Sequence, residues 1–292
     1  MIAASISLRL GTLSARIDLL GAELRSLRRG DDELLWQDEA AVWPHAAPVL
    51  FPVVGRLRGG GYLHGGQFYA MPTHGFAGHQ RFELIAATAD SLLLELRANA
   101  ATWAMYPFEF RLRVRFTLSR QGLEVAYNVI NEGEQPMCFA LDSHPGFALA
   151  GDLSDWHLQF DQAEVGVVWR LCGQGNALLA AEPEPFTFDK GQRINLHPTL
   201  FARDALIFKH IRSRCIDLVH RERGVRLQLD TGGAPHLGLW ARPGAAYVCI
   251  EPWFGVDEDR HAKPALADKP QLMSLAAGAR FETRYQLVLP AL

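Results

Sequence analysis

Apolar and polar residues alternate with a period of two along much of the chain. Between residues 108 and 118 every second residue is apolar, starting with Phe108, and the intervening positions are charged or threonine. Successive side chains of a β-strand point to opposite faces, so this pattern predicts a half-buried strand with one charged face. The alternation resumes at residues 123–129, after Gln121 and Gly122. The two segments therefore predict an antiparallel hairpin that turns at this pair.

The same alternation predicts further short strands elsewhere in the chain. They lie at residues 5–9, 15–19, 92–97, 225–229, 247–251 and 281–289. Helical periodicity is confined to two short segments, residues 38–42 and 199–203, and the glycine-rich stretch 56–66 predicts a surface loop or hairpin. Short strands separated by glycine and proline, without strand–helix alternation, predict an all-β fold, a large antiparallel sandwich or barrel. Because neither a linker nor a composition shift divides the chain, we expect one domain over residues 1–292.

The composition is that of an ordinary globular protein. The 292 residues are 49% hydrophobic and 21% charged, with a net charge of −3, which excludes the disordered, collagenous and membrane classes. The charges of both signs are scattered, so neither nucleic acid nor a membrane surface is an expected partner. Arg9 and Arg16 interrupt the apolar residues near the start, and no apolar run reaches the length of a membrane helix. We therefore expect a cytoplasmic protein.

No motif for a cofactor or a metal is present. The four cysteines are far apart and predict reduced, mostly buried thiols rather than a disulfide or zinc framework. The segment from Gly173 to Gly175 lacks the third glycine of a dinucleotide motif, and the chain has no phosphate-binding loop, nucleophile elbow or H-E-x-x-H. The eleven histidines include no H-x-H pair. The sequence thus predicts neither a metal nor another cofactor.

Five polar residues interrupt apolar segments. Arg56 lies in PVLFPVVGRL, His74 in MPTHGFAG, His144 in FALDSHPGFAL, Glu251 in YVCIEPWFG and Asp204 in LFARDALIF. A polar side chain at the end of an apolar run, near glycine or proline, is typical of a strand end that opens into a cleft. Each residue alone is more typical of a structural role, as a solvated arginine, a strand-end carboxylate or a hydrogen-bonded histidine. Together they favour a functional site.

These segments resemble the aldose 1-epimerase (mutarotase) superfamily, in particular its LacX-like branch. FPVVGRL, MPTHGFA, YPFEFRLRVRF, SHPGF and CIEPWFG occur in that order across almost the whole chain. The resemblance implies a galactose mutarotase-like β-supersandwich with an open sugar-binding cleft, and an isomerase that interconverts the anomers of a free aldose. By the matching motifs, His144 and Glu251 correspond to the catalytic histidine and glutamate, and Arg56 and His74 to sugar-binding residues. Asp204 corresponds to a substrate-binding aspartate.

One departure from the family pattern concerns the substrate. Relatives often have HGFAR, whereas this chain has Gly78 followed by His79. A phosphate dianion is held best by guanidinium groups, so the missing arginine favours an unphosphorylated sugar. An epimerase that acts on a phosphorylated hexose remains an alternative.

A second alternative comes from another functional class, that of non-catalytic carbohydrate-binding regulators. Such a protein would keep the cleft without turnover. The presence of both Glu251 and His144 favours the enzyme, because binding alone does not require an acid–base pair. Trp240 and Trp253 are expected to pack in the core, with a stacking surface for a sugar ring as the alternative. The identity of the sugar and the oligomeric state stay open.

Overall fold

The strands of the protein dominate its architecture. The computed structural model describes residues 5–37, 41–173 and 177–291. The strands of the first half are β1 (Ser5–Leu10), β2 (Leu13–Asp18), β3 (Glu23–Arg29), β4 (Asp32–Glu33), β5 (Val49–Leu50), β6 (Gly61–His64), β7 (Gln67–Ala70), β8 (Glu83–Ala87), β9 (Ser91–Arg97), β10 (Phe110–Ser119), β11 (Gly122–Asn131), β12 (Met137–Phe139), β13 (Leu141–Ser143) and β14 (Gly146–Ala148).

The second half of the chain continues in the same way. Its strands are β15 (Trp156–Phe160), β16 (Val167–Val168), β17 (Leu171–Cys172), β18 (Leu178–Leu179), β19 (Glu184–Pro185), β20 (Arg193–Asn195), β21 (Leu206–Lys209), β22 (Cys215–His220), β23 (Gly224–Asp230), β24 (His236–Trp240), β25 (Tyr247–Phe254), β26 (Met273–Leu275) and β27 (Arg280–Val288). The helical residues are α1 (Ala100–Trp103) and short 3₁₀ turns at Arg58–Gly60, Ala77–His79, Leu153–Asp155 and Leu266–Asp268.

Two large antiparallel sheets organise these strands. The larger sheet has nine strands in the order β20-β15-β22-β23-β27-β11-β10-β9-β8, and a second sheet has the order β21-β24-β25-β13-β5, with β14 also paired to β25. A four-stranded sheet, β1-β2-β3-β4, forms the N-terminal part. Buried residues of all three sheets, such as Phe116, Leu239 and Leu24, belong to one hydrophobic cluster. The predicted all-β antiparallel class is therefore confirmed.

The strand predictions from periodicity are confirmed as well. β10 and β11 form the expected hairpin, with Phe116 opposite Val125. Each further predicted strand has its counterpart, from β1 to β27, with ends shifted by no more than about three residues. The glycine-rich stretch contains β6, the first strand of the hairpin β6–β7. Alternation with a period of two was therefore a sufficient guide to these strands.

The helix predictions are not confirmed. Residues 199–203 form turns, because the backbone N–H groups of Ala202 and Asp204 bond three residues back, to Thr199 and Phe201. Asp204 then adopts a φ of 72°, which ends any helical course. Of the second predicted segment, residues 38–40 lie outside the described residues, and residues 41–42 form a turn.

The cysteines and the helices bear on two further expectations. All four cysteines are free; Cys249 is buried, Cys138 and Cys215 are partly buried, and Cys172 is exposed. The prediction of mostly buried thiols is therefore wrong for Cys172. In the described part of the chain, none of the helices has the length and apolar character needed to cross a membrane.

Candidate active site

His144 and Glu251 lie opposite each other on neighbouring antiparallel segments of the second sheet. Gly146 pairs with Cys249 on one side of them and Asp142 pairs with Trp253 on the other, so the register places His144 directly opposite Glu251. Pro145 has no N–H to donate, and its carbonyl accepts a hydrogen bond from Ile250 at 3.2 Å. Nε2 of His144 lies 3.3 Å from Oε2 of Glu251. The sheet thus holds an imidazole and a carboxyl group within proton-transfer distance.

A tryptophan fixes the orientation of the glutamate. Trp253, two residues further along β25 and on the same face, donates from Nε1 to Oε2 of Glu251 at 3.2 Å. Its indole packs against Gly238, where a Cβ atom would lie 2.4 Å from the ring. Only glycine leaves room for this ring position. Trp253 is 3% exposed, so it packs in the core as expected and also contacts the candidate catalytic residue.

Burial shifts the two groups of the pair in opposite directions. It raises the pKa of Glu251 well above the usual range; the Trp253 hydrogen bond lowers that pKa, whereas the carboxyls of Asp257 and Asp204 raise it further. Burial lowers the pKa of His144 well below its usual range, and the neighbouring ring of His74 adds to this. Desolvation disfavours the charged form of both groups. In the free protein the proton of the pair therefore resides on the carboxyl.

His74 is held next to this pair in one tautomer. Its Nδ1 accepts the backbone N–H of Gly55 at 3.1 Å, so the neutral ring carries its proton on Nε2. Its ring stands perpendicular to that of His144, with centroids 5.7 Å apart. Burial, assisted by the charge of Arg56, lowers the pKa of His74 to about 4. His74 is thus a neutral donor near pH 7, at a strained φ of 64°.

The Arg56 backbone is held by a buried carboxyl that the sequence analysis did not single out. The Arg56 N–H donates to Oδ1 of Asp257 at 2.8 Å. Gly55 adopts a φ of 69° directly beside this carboxyl, and a Cβ atom on Gly55 would lie 1.8 Å from Oδ1. Burial raises the pKa of Asp257 to about 7, although the Arg56 N–H and guanidinium lower it. Asp257 therefore changes its charge near neutral pH.

A cavity of about 240 Å³ brings the five predicted residues together. Arg56, His74, His144, Asp204 and Glu251 all line it. The other lining residues are Trp43, Gly55, Leu171, Ala205, Trp240, Trp253 and Asp257. The predicted residues therefore share one concave site, although their chemical roles stay predictions.

Two tryptophans form an apolar wall of this cavity. The Trp43 ring lies 5.1 Å from the His144 ring and 5.6 Å from the Trp240 ring, centroid to centroid. Trp240 is partly buried and packs against the core, as expected, and it also lines the cavity. Apolar faces of this kind suit the C–H faces of a sugar ring. Trp43 was missed in the sequence because its surroundings, AVWPHAAP, resemble no strand or motif.

Two further features lie outside this cavity. Gly78 and His79 are absent from its lining, so the departure from the family motif is not at its wall. A larger cavity of about 590 Å³ is lined by Arg113, Arg284 and other residues of the nine-stranded sheet. Arg113 is paired with Glu95 at 2.7 Å, and Arg284 with Glu124. Both of these arginines are thus paired, whereas the smaller cavity contains the acid–base pair.

The chain is similar to known proteins over almost its whole length. The family model described as aldose 1-epimerase matches residues 4–287. The plasmid-encoded protein LacX of Lactococcus lactis is 28% identical over 280 residues, which cover 92% of this chain and 93% of LacX.

Solved structures show the same overall fold. The galactose mutarotase related enzyme of Lactobacillus acidophilus superposes with a TM-score of 0.91 at 30% identity, over 99% of this chain and 98% of that one. A galactose mutarotase-like protein of Lactobacillus casei has a TM-score of 0.89 at 26% identity, over 98% of this chain and all of the other. The predicted galactose mutarotase-like fold is confirmed.

Proposed function

Since the chain belongs to the aldose 1-epimerase family, in its LacX-like branch, we propose that it interconverts the α and β anomers of a free aldose. The observation that carries this proposal is the 3.3 Å contact between His144 and Glu251 at the wall of the cavity. Anomer interconversion needs one group that removes a proton and one that delivers a proton, and this pair supplies both.

The reaction proceeds through the open-chain sugar. Glu251 removes the proton of the C1 hydroxyl, the C1–O5 bond breaks, and His144 protonates the ring oxygen. Rotation about the C1–C2 bond presents the other face of the aldehyde. The ring oxygen then attacks C1 while the two residues exchange roles, so the protons return to their starting groups and the sugar undergoes no net redox change.

The pair needs one proton in total. Burial places that proton on Glu251 in the free protein, because it raises the pKa of Glu251 and lowers that of His144. The state with an ionised carboxylate and a protonated imidazole has the same proton count. It is a minor tautomer of the same species, in which the carboxylate is a strong base and the imidazolium a strong acid.

The surrounding residues position the sugar. Arg56 donates hydrogen bonds from its guanidinium, and neutral His74 donates from Nε2. Asp204 and Asp257 accept hydrogen bonds from sugar hydroxyls. Trp240 offers an apolar face to the ring. Donors, acceptors and an aromatic face are the ordinary means of binding a polyhydroxylated ring.

The charges at the wall support a neutral substrate. Three carboxyl-bearing residues, Glu251, Asp204 and Asp257, line the cavity, against the single guanidinium of Arg56 among the described lining residues. A phosphate dianion would have one cationic partner here, and its charge would oppose the ionisation of Glu251 that the reaction needs. We therefore propose an unphosphorylated aldose as substrate.

The exposed thiol of Cys172 bears on the cellular compartment of the protein. We propose that the protein works in the cytoplasm, since Cys172 is an exposed free thiol. Reducing compartments maintain such thiols, whereas oxidising ones convert them.

An anomerisation assay tests the proposed activity. Freshly dissolved α-glucose, α-galactose and other α-aldoses are followed by polarimetry, with saturation-transfer NMR as a second measurement, in buffer that contains a chelator. We expect acceleration above the spontaneous rate for at least one sugar. Sugar affinity without acceleration for any of them would instead support a non-catalytic binding protein.

A further inference from the structure

A cysteine lies beside the candidate acid–base pair. Cys249 is two residues before Glu251 on β25 and its side chain is on the same sheet face. One side-chain donor atom each of Cys249, Glu251 and His144 lies within 4.8 Å of the other two. All three residues are buried, and Cys249 is completely so. The reaction described above has no use for this thiol.

This set of donors matches the coordination chemistry of zinc. Zn²⁺ binds cysteine sulfur at about 2.3 Å and histidine nitrogen or carboxylate oxygen at about 2.0–2.2 Å, which places tetrahedral ligands about 3.3–3.6 Å apart. Nε2 of His144 and Oε2 of Glu251 are already 3.3 Å apart. The sulfur lies within 4.8 Å of both other donor atoms, so it would have to approach them by at most about 1.2 Å. Three protein ligands and one open position are typical of an accessible zinc site.

The electrostatic surroundings also favour a cation. Asp142, directly opposite Trp253, is 2% exposed, and neither of its carboxyl oxygens has a hydrogen-bond partner. Asp204 and Asp257 add two carboxyls at the cavity wall. A divalent cation would offset the cost of ionising buried carboxyls.

We propose that His144, Cys249 and Glu251 form a binding site for Zn²⁺ or a similar thiophilic divalent cation, and that this cation inhibits the enzyme. The inhibitory consequence rests on the proposed function, whereas the binding site does not. Metal binding displaces the thiol proton and the proton of the His144–Glu251 pair into solvent. The ion then occupies the lone pairs that the reaction needs, and its open fourth position faces the cavity where the sugar would lie.

Cobalt spectroscopy tests the site without any assay of activity. Reduced, metal-free protein is titrated with Co²⁺, because a thiolate bound to Co²⁺ gives a charge-transfer band in the near ultraviolet. We expect saturation at one equivalent with the intense visible absorption of tetrahedral coordination. Cys249→Ser should abolish the charge-transfer band, and the matched control Cys215→Ser, at a partly buried thiol outside the cluster, should retain it.

Inhibition by zinc tests the consequence. The mutarotation rate of each variant is measured against Zn²⁺ and expressed relative to its own metal-free rate. We expect the inhibition constant to rise by at least about tenfold in Cys249→Ser and to stay unchanged in Cys215→Ser, since even indirect partners of a metal site contribute about 10- to 100-fold in affinity. If Cys249→Ser does not fold, Glu251→Gln serves in the cobalt titration, where it should abolish the tetrahedral spectrum.

The possible outcomes separate the two proposals. A wild-type protein without a thiolate band, a band that survives Cys249→Ser, or zinc inhibition that is independent of Cys249 would each overturn the metal site. A Cys249-dependent band in a protein that accelerates no mutarotation would support the site and contradict the proposed function.

Discussion

His144 and Glu251 are directly opposite residues of neighbouring antiparallel segments, and Nε2 of the imidazole lies 3.3 Å from Oε2 of the carboxyl group. Glu251 lies within β25, and His144 lies in the two-residue break between β13 and β14, so strand pairs on both sides of His144 position it. A pair on rigid elements keeps its geometry without a substrate, which is a condition for efficient proton transfer.

Removal of either member of the pair should abolish most of the activity. Glu251→Gln keeps the size of the side chain but removes the base, and His144→Asn removes the acid. We expect each to lower kcat by about 100-fold or more, the usual lower bound for one general acid–base group. The double variant should be much less than multiplicatively slower, since the two residues act as a unit.

The control for this pair is a carboxyl outside the cavity. Glu282→Gln, at an exposed position of β27, should leave kcat unchanged. Melting temperatures measured on the same preparations separate catalysis from stability. A folded Glu251→Gln protein with the wild-type kcat would contradict the proposed mechanism.

The pH dependence of kcat/KM should be bell-shaped. Burial lowers the pKa of His144, so the acid limb reflects the binding of a second proton to the pair, which leaves no base. Burial raises the pKa of Glu251, so the alkaline limb reflects the loss of the last proton, which leaves no acid. Rates corrected for spontaneous mutarotation from pH 4 to 10 check this profile. The residual activity of Glu251→Gln, which depends on the imidazolium of His144 alone, should lack the acid limb and fall as the pH rises.

Arg56 should affect binding more than turnover. Its guanidinium is proposed to donate hydrogen bonds to the sugar equally in the ground and transition states. Arg56→Ala should therefore raise KM with little change in kcat. Initial rates over a range of sugar concentrations measure the effects on KM and kcat separately. A large fall in kcat at unchanged KM would instead indicate that Arg56 stabilises the transition state more than the bound sugar.

Neutral sugars should be preferred over sugar phosphates. Arg56 is the single guanidinium among the described lining residues, so a phosphate dianion would have few charge-assisted hydrogen bonds in this cavity. A missing charge-assisted hydrogen bond costs about 1.5–3 kcal/mol. We expect a lower kcat/KM for glucose 6-phosphate than for glucose or galactose. A value tenfold higher for the phosphate would reverse the substrate assignment.

Asp142 should reduce stability as the pH rises. Its folded-state pKa is raised by burial and by Glu251, so the folded protein retains a proton that the unfolded chain loses above about pH 3.9. Each such proton changes the free energy of unfolding by at most about 1.4 kcal/mol per pH unit. Asp142→Asn, neutral at every pH, should therefore gain stability over the wild type between pH 4 and 8. Urea unfolding at several pH values measures the difference, and a constant difference would contradict the assignment.

The sequence by itself determined eight of the strands and five of the residues that line the cavity. Alternation over β10, β11 and β27 specified which face is buried, because strand side chains have a period of two wherever a chain folds into a sheet. The short motifs also selected five residues that share one cavity. Both features are encoded locally, in the identity and spacing of neighbouring residues.

Only the tertiary structure decided how these parts combine. The register that sets His144 opposite Glu251 joins segments about 100 residues apart, and the contacts of Trp43 and Asp257 with this site depend on the same assembly. The predicted helix at residues 199–203 was wrong for a related reason. Despite the helical periodicity, this segment forms hydrogen-bonded turns, and Asp204 adopts a left-handed backbone conformation. Strand pairing and desolvation are set by the whole packed chain, because each depends on distant segments that a local pattern does not contain.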